Sequence, residues 1–452
     1  MARPIAFIDL GPHMIQYFST LGQYLGPAYV PAFFSRHYKS RGVLRKLHYP
    51  LYPDRHRGSA QQFPEGVNID PEYLVPKLRT ETDRASVLKQ VPYYCWLVDE
   101  LHRFFERVCP TAIFLWNGSG LAATIAEQLA RRRDIAVVFG ENGYLPDTLQ
   151  LDPMGVNAFS SFARAWSLDK IRALRWTEGQ RQALARFLAA YRNNQLPLPQ
   201  GPDTGRLRAS WITYLRQAVY GIRHQKTIKG GNRLIPSKIP TLPHEFAFFP
   251  LQVRDDSQLT MHSPLYGNQL EEAIADVRRA LQEVAPGLPL VIKLHPADRR
   301  KSNYDPMVRT YPDVIWVGSG DVRKILARSR LVITVNSTVG MESMIFGRPV
   351  VVLGRSFYGF DGLVHPVRDR SELPEVLRTA SDSPPDAQLV ERYLLFLYFI
   401  ALTRGHWRDY SPEALRRVAT RIVSIIENGD SARTHHCRLV AGGEDTAADA
   451  CS

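Results

Sequence analysis

"VITVNSTVGMESM", residues 332–344, decides the fold. A short β-branched apolar run ends at Asn336, the hydroxyl residues Ser337 and Thr338 follow, and helical apolar spacing begins through Gly340. A buried strand feeding straight into a helix is the half-unit of a parallel sheet. The same plan recurs around it. "FAFFPLQ", "LPLVIKLHP", "VIWVGS" and "RPVVVLG" read as strands, and "NQLEEAIADVRRALQEV" and "DVRKILARS" as the helices between them. Residues 241–383 therefore form a doubly wound α/β domain. Residues 1–165 repeat the alternation less cleanly, with "PIAFIDL", "TAIFLWNGSG" and "DIAVVFGENG" as strands. Between them, 166–240 is Arg- and Gln-rich, lacks a strand signal and reads as a helical connector. Residues 384–427 read as helices, and 428–452 have no core-forming pattern and are expected to be disordered.

Ligands of open parallel sheets bind beyond the carboxyl ends of the strands, which sorts the polar residues. The start of the 337–340 helix, with Ser337, Thr338 and Gly340, suits a phosphate. It equally reads as a Ser N-cap with a glycine for close packing. Glu342 falls in the expected first turn, favouring the helix dipole or hydrogen-bonding a ribose. In "VIKLHPADRR" (291–300), Pro296 stops the strand and leaves His295 at its end, with Lys293 nearby as a second cation. No "GxxxxGK[ST]" or "GxGxxG" occurs, which argues against an ordinary NTPase or dehydrogenase. In "FFPLQVRDDSQLTMHSP" (248–264) a strand runs out into Asp255 and Asp256, followed by Gln258, His262 and Ser263. Adjacent acids there are either turn formers or a nucleophile. Glu141, followed by Asn142 and Gly143, ends a strand of the first domain, either as a solvated turn residue or as a site acid. "GRSFYGFDGLVHP" (354–366) places Tyr358 in an aromatic loop that suits a sugar or base, or is merely structural.

Hydrophobic residues at 44% and charged residues at 22% are ordinary for a globular protein, whereas a net charge of +13 favours anionic partners. No nucleic-acid module is recognisable, so nucleic acid is not expected as a partner. The four cysteines lack metal-ligand spacing, and the longest apolar run, "YLLFLYFIAL" at 393–402, is too short to span a membrane. No leader is read at the N-terminus, so a reduced, cytoplasmic location is expected. The basic stretch 206–238 interleaves Trp211, Tyr214 and Tyr220 with cations and carries no acid. It reads either as a membrane-surface helix or as a connector whose aromatics pack on the first domain.

Together "PLQVRDDSQLTMHSP", "KLHP", "NSTVGMES" with "GRPVVVLG", "FYGFDGL" and "ENGY…PDTLQLDPMGVNA" resemble the bacterial capsule polysaccharide biosynthesis/export family, in its KpsS-like branch, over residues 110–365. The resemblance implies a GT-B arrangement of two Rossmann-like domains facing a cleft. It implies retaining transfer of 3-deoxy-manno-octulosonic acid (Kdo) from CMP-β-Kdo to a phospholipid of the lysophosphatidylglycerol type. Carried over, it makes Asp256 the nucleophile, with Asp255 as the alternative and Gln252 four residues before Asp256. It places His295 and Asn336, Ser337 and Thr338 in the nucleotide pocket, to which the residue reading adds Lys293, Pro296, Gly340 and Glu342. Glu141, similar in place to the acid of the bacterial sialyltransferase motif although Asn142 replaces that motif's second acid, is expected to take the acceptor proton. Gln252, Gln258, Ser263, Asn142 and Tyr358 are expected at the substrates. No metal or cofactor is expected, since nothing like a DxD pair lies near the phosphate pocket. Implied partners are the anionic inner-membrane surface, where the enzyme would be peripheral, and other capsule synthesis proteins. Two other readings are a sialyltransferase using CMP-sialic acid and a non-catalytic polysaccharide- or lipid-binding export component.

Overall fold

In the computed structural model, the described residues are 2–54, 58–60, 62, 64, 84–196, 232–254, 259 and 262–428. They divide into two compact units. One holds residues up to Ala165 and from Phe396 onward, and the other holds Trp166–Leu196 and the chain up to Leu395.

The first unit is built on a six-stranded sheet. Its strands are β1 (Arg3–Ile8), β2 (Tyr29–Phe34), β3 (Ala112–Trp116), β4 (Ala136–Asn142), β5 (Thr148–Asp152) and, from the C-terminal segment, β12 (Thr403–Arg404), in the order β12-β5-β4-β3-β1-β2. β1 to β4 are parallel, and β5 runs antiparallel to β4. β2 carries Pro31, which an edge strand tolerates because its missing N–H weakens no inner ladder. One face of the sheet is covered by helices Arg84–Val108 and Leu121–Arg131 through Leu97, Phe104, Ile125 and Leu129. The other is covered by Pro12–Leu21 and by the C-terminal helix Pro412–Asn428, whose Leu415, Val418, Ile422 and Ile425 meet Ile5, Phe7, Phe18 and Phe114.

The second unit has six parallel strands: β6 (Ala247–Pro250), β7 (Leu290–Lys293), β8 (Ile315–Val317), β9 (Leu331–Thr334), β10 (Val350–Val352) and β11 (His365–Pro366). Their order, β11-β10-β9-β6-β7-β8, is that of a dinucleotide-type doubly wound sheet, with its switch point between β6 and β9. Both faces are apolar. Ile274 and Val277 of helix Leu270–Val284 and Leu377 of helix Leu373–Asp382 fill one core. Ile325, Leu326 and the partly buried Val339 fill the other. The fold class is the one read from the sequence: two mainly parallel, doubly wound α/β units.

Three segments differ from their simple reading. Residues 148–152, not among the strands read from the sequence, form one antiparallel to β4. Helix Glu178–Arg192, expected within a connector, docks on the second unit: the Arg192 guanidinium donates to the Ile345 carbonyl at 2.9 Å. The chain then returns to the first unit for its last helix. No helix among the described residues is long and apolar enough to cross a membrane. Most of the basic stretch 206–238 and the tail from 429 lie outside the described residues.

Candidate functional site

At the switch point of the second unit, Gln252 follows β6 and Asn336 follows β9. Both are buried, and they bond to each other. The Gln252 amide donates to Asn336 Oδ1 at 2.8 Å, and the Asn336 backbone N–H donates to Gln252 Oε1 at 3.2 Å. Asn336 Nδ2 also donates to the His262 carbonyl at 3.3 Å, and that carbonyl accepts the Arg355 N–H at 2.7 Å. Two residues expected at the ligand thus form a bridge between strand ends instead.

That bridge fixes one flank of the acidic pair, and Arg254 fixes it again. Its guanidinium forks onto Glu271, with Nη1 to Oε2 at 2.8 Å, and lies 5.0 Å above the Tyr304 ring. Tyr304 in turn donates to Asp298 at 2.7 Å. On the far flank, Leu259 is wholly buried in the core and His262 is held through its carbonyl. Asp255, Asp256 and Gln258 themselves lie outside the described residues. Ser263 is buried, and its Oγ has no hydrogen-bond partner among the described residues. Sequence reasoning missed the Arg254–Glu271–Tyr304–Asp298 cluster, whose members are spread over residues 254–304.

At the end of β7, Lys293 is buried, and burial pushes its ammonium below the usual value against the raising pull of Glu342 and Asp321. His295 and Pro296 are exposed. His295 Nδ1 accepts the Ala297 N–H at 3.1 Å, so the neutral ring carries its hydrogen on Nε2, the tautomer a phosphate oxygen would need.

The helix expected after Asn336 runs over Thr338–Ile345, with Ser337 as its N-cap. Ser337 Oγ accepts the Val339 N–H at 3.2 Å, the Ser337 N–H goes to Thr334 Oγ1 at 3.0 Å, and the Gly340 N–H goes to the Ser337 carbonyl at 3.0 Å. The capping alternative therefore describes Ser337, and Thr338 is the exposed residue of this turn. Gly340 is required by packing: a Cβ there would lie 2.3 Å from the Tyr358 hydroxyl. Tyr358, expected at a sugar or base, is wholly buried and donates to the Ser337 carbonyl, so it holds the cap rather than meeting a ligand.

Glu342 is corrected as well. The helix begins at Thr338, which puts Glu342 beyond the first turn. It is half-buried and accepts the hydroxyl of Tyr191, from helix Glu178–Arg192. Burial pushes the Glu342 carboxyl above its usual range, against the lowering pull of Tyr191 and Arg323. Arg323 is itself held by Asp321 at 2.9 Å.

In the first unit, Glu141 and Asn142 are the last two residues of β4. Glu141 Oε1 accepts the Asn142 backbone N–H at 2.8 Å and its side-chain amide at 3.3 Å. The following turn is tight: the Gly143 N–H bonds to the Thr148 carbonyl at 2.8 Å, and a Cβ at 143 would fall 1.9 Å from Thr148 Oγ1. Most of the polar residues in "ENGY…PDTLQLDPMGVNA" are structural. Gln150 Oε1 accepts the Tyr144 hydroxyl and the Asn157 N–H, each at 3.0 Å, while the wholly buried Asp152 accepts the Ser161 N–H and hydroxyl at 3.0 and 2.8 Å. Buried polar groups need such partners, and here they fix the hairpin that carries Glu141.

Comparison with known proteins agrees with the motifs. Protein FixF of Sinorhizobium fredii is 26% identical over 315 residues, which is 70% of this chain and 65% of FixF's own length. The capsule polysaccharide export protein KpsS of Escherichia coli is 24% identical over 301 residues, 60% of this chain and 72% of that one. Among solved structures, KpsC of Thermosulfurimonas dismutans, a beta Kdo 2,7 transferase, aligns over 94% of this chain and 99% of its own at 13% identity, with a TM-score of 0.45. Residues 111–406 match the family described as capsule polysaccharide biosynthesis protein, and the chain belongs to that family.

Proposed function

We propose that the chain is a retaining glycosyltransferase that moves Kdo from CMP-β-Kdo onto a phospholipid acceptor of the lysophosphatidylglycerol type, at the inner-membrane surface and alongside other capsule synthesis proteins. The observation that carries this reading is the cationic end of β7, where a buried ammonium, Lys293, and an imidazole, His295, with its hydrogen on Nε2 stand one strand from the β6/β9 switch point. A doubly wound sheet receives a nucleotide at that end, and a departing CMP needs its phosphate charge met by fixed donors.

In the first step a carboxylate oxygen of Asp256 bonds to the anomeric carbon while that carbon's bond to the phosphate oxygen breaks. The electron pair leaves with CMP, and Lys293, His295 and the Thr338 turn take up the charge. In the second step the acceptor hydroxyl attacks the same carbon, the bond to Asp256 breaks, and Glu141 takes the hydroxyl proton. Two inversions give retention. Gln252 and Arg254 act as positioning residues, because each is tied to a rigid partner just before the acids.

The test is incubation of the purified chain with CMP-Kdo and a lysophosphatidylglycerol-type acceptor, followed by mass spectrometry, with CMP-sialic acid as the competing donor. Transfer of Kdo that Asp256→Ala abolishes while CMP still binds is the expected result. Full turnover in Asp256→Ala with loss in Asp255→Ala shifts the nucleophile by one residue. Full turnover in both ends the double-displacement reading, and transfer of sialic acid alone replaces the donor.

A further inference from the structure

Glu141 Oε1 is held by both N–H donors of Asn142, and Asn142 is itself held by a residue far away in sequence. The Trp407 indole N–H donates to Asn142 Oδ1 at 2.9 Å. An amide whose oxygen is engaged keeps its NH₂ pointing one way. Here that direction is Glu141 Oε1, at 3.3 Å. The chain Trp407 Nε1–H to Asn142 Oδ1, then Asn142 Nδ2–H to Glu141 Oε1, lies wholly in the first unit.

Trp407 is itself well placed. β12 pairs antiparallel with β5, and the Gly405 N–H then bonds to the Asp147 carbonyl at 2.7 Å, in the turn that follows Glu141. His406 Nδ1 accepts the Arg408 N–H at 3.0 Å and the Asp409 N–H bonds to the His406 carbonyl at 2.8 Å, closing a compact turn around Trp407. The indole is half-buried, its outer face covered by the Arg408 guanidinium 4.5 Å from the ring centroid. Trp407 lies just past the residues matched to the family, 111–406.

We infer that Trp407 is a positioning residue for the acceptor-side chemistry: through Asn142 it holds the Glu141 carboxylate in one orientation toward the acceptor hydroxyl. This rests on the proposed role of Glu141. General-base catalysis depends on that geometry, since a base turned away by one rotamer no longer reaches its proton.

Trp407→Phe keeps the ring and removes the donor. With CMP-Kdo and the lysophospholipid acceptor, we expect its kcat to fall about tenfold, the scale of one lost hydrogen bond, with KM for the donor unchanged. Asn142→Ala should fall similarly, and the double variant no further, because both break one chain. The indole N–H proton resonance of Trp407, identified by its loss in Trp407→Phe, should shift in Asn142→Ala without any substrate present. An unmoved indole resonance overturns the inference, as does full kcat in Trp407→Phe when Glu141→Gln is inactive. Full kcat in Glu141→Gln removes the role of Glu141 itself, and the inference falls with it.

Discussion

Gly340→Ala is the sharpest probe of the nucleotide-side turn. In most helices this change stabilises by about 1 kcal/mol, because alanine loses less backbone entropy. Here the added methyl would lie 2.3 Å from the Tyr358 hydroxyl oxygen, 2.8 Å from its ring carbon and 3.0 Å from Thr334 Cγ2. A carbon needs roughly 3.5 Å or more from its neighbours, so the ring must retreat by about an ångström. It has little room: Tyr358 is wholly buried, with the Phe357 ring edge-on at 4.9 Å. Overpacking of this kind costs about 1–3 kcal/mol. Pulling the hydroxyl off the Ser337 carbonyl costs about 1 kcal/mol more. Subtracting the helix gain leaves a net destabilisation of about 1–3 kcal/mol. Urea unfolding followed by far-ultraviolet circular dichroism measures it. Tyr358→Phe removes the nearest clashing atom, so the double variant should lose less than the sum of the two single changes. A Gly340→Ala chain as stable as the parent, or more stable, would refute the packing argument.

Glu342→Gln tests the half-buried carboxyl held by Tyr191. Its folded value lies above the ordinary glutamate value near about 4.3, so the folded chain binds that proton more tightly than the unfolded chain. The stability this gives is complete below the ordinary value and lost as pH rises through the folded one. Denaturant midpoints between pH 4 and 8, set as roughly the span above the ordinary value, should fall less steeply in Glu342→Gln; an unchanged slope rejects the assignment. His295→Ala should weaken CMP binding by about 2 kcal/mol at most, read by calorimetry, and unchanged affinity removes His295 from the pocket. The basic stretch 206–238 should bind anionic vesicles in co-sedimentation, less at high salt. Glu substitutions at Arg216, Arg223 and Lys226 should weaken that binding, and indifference to them leaves the stretch without a membrane role.

The second unit was legible because each of its main strands is a fully buried apolar run, so the pattern of a parallel sheet covered on both faces is written in "LVIT", "VVV" and "LVIK". β5 was not, because "TLQLD" buries Thr148, Gln150 and Asp152, whose polarity reads as a loop until their partners are known. The positions of His295 and Lys293 followed from the strand ends. The uses of Gln252, Asn336, Tyr358 and Glu342 did not: each is satisfied by a residue distant in sequence, and a lone polar side chain carries no mark of its partner. Trp407 was invisible for the same reason, being separated from Asn142 by the whole of the second unit.

The late return of the chain to its first sheet has a consequence for biosynthesis. Ile5, Phe7, Phe18 and Phe114 are made before the second unit, yet part of their cover, Leu415, Val418, Ile422 and Ile425, is made only after it. The segment from Trp166 to Leu395 intervenes. At about 5–20 residues per second, the ribosome takes on the order of ten to fifty seconds to make it. During that interval this face of the nascent first sheet is covered by Pro12–Leu21 but not yet by Pro412–Asn428, while the second unit is being completed. The unit begun first is therefore completed after the second, and the part of its aromatic face awaiting the C-terminal helix is the surface a ribosome-associated chaperone would hold.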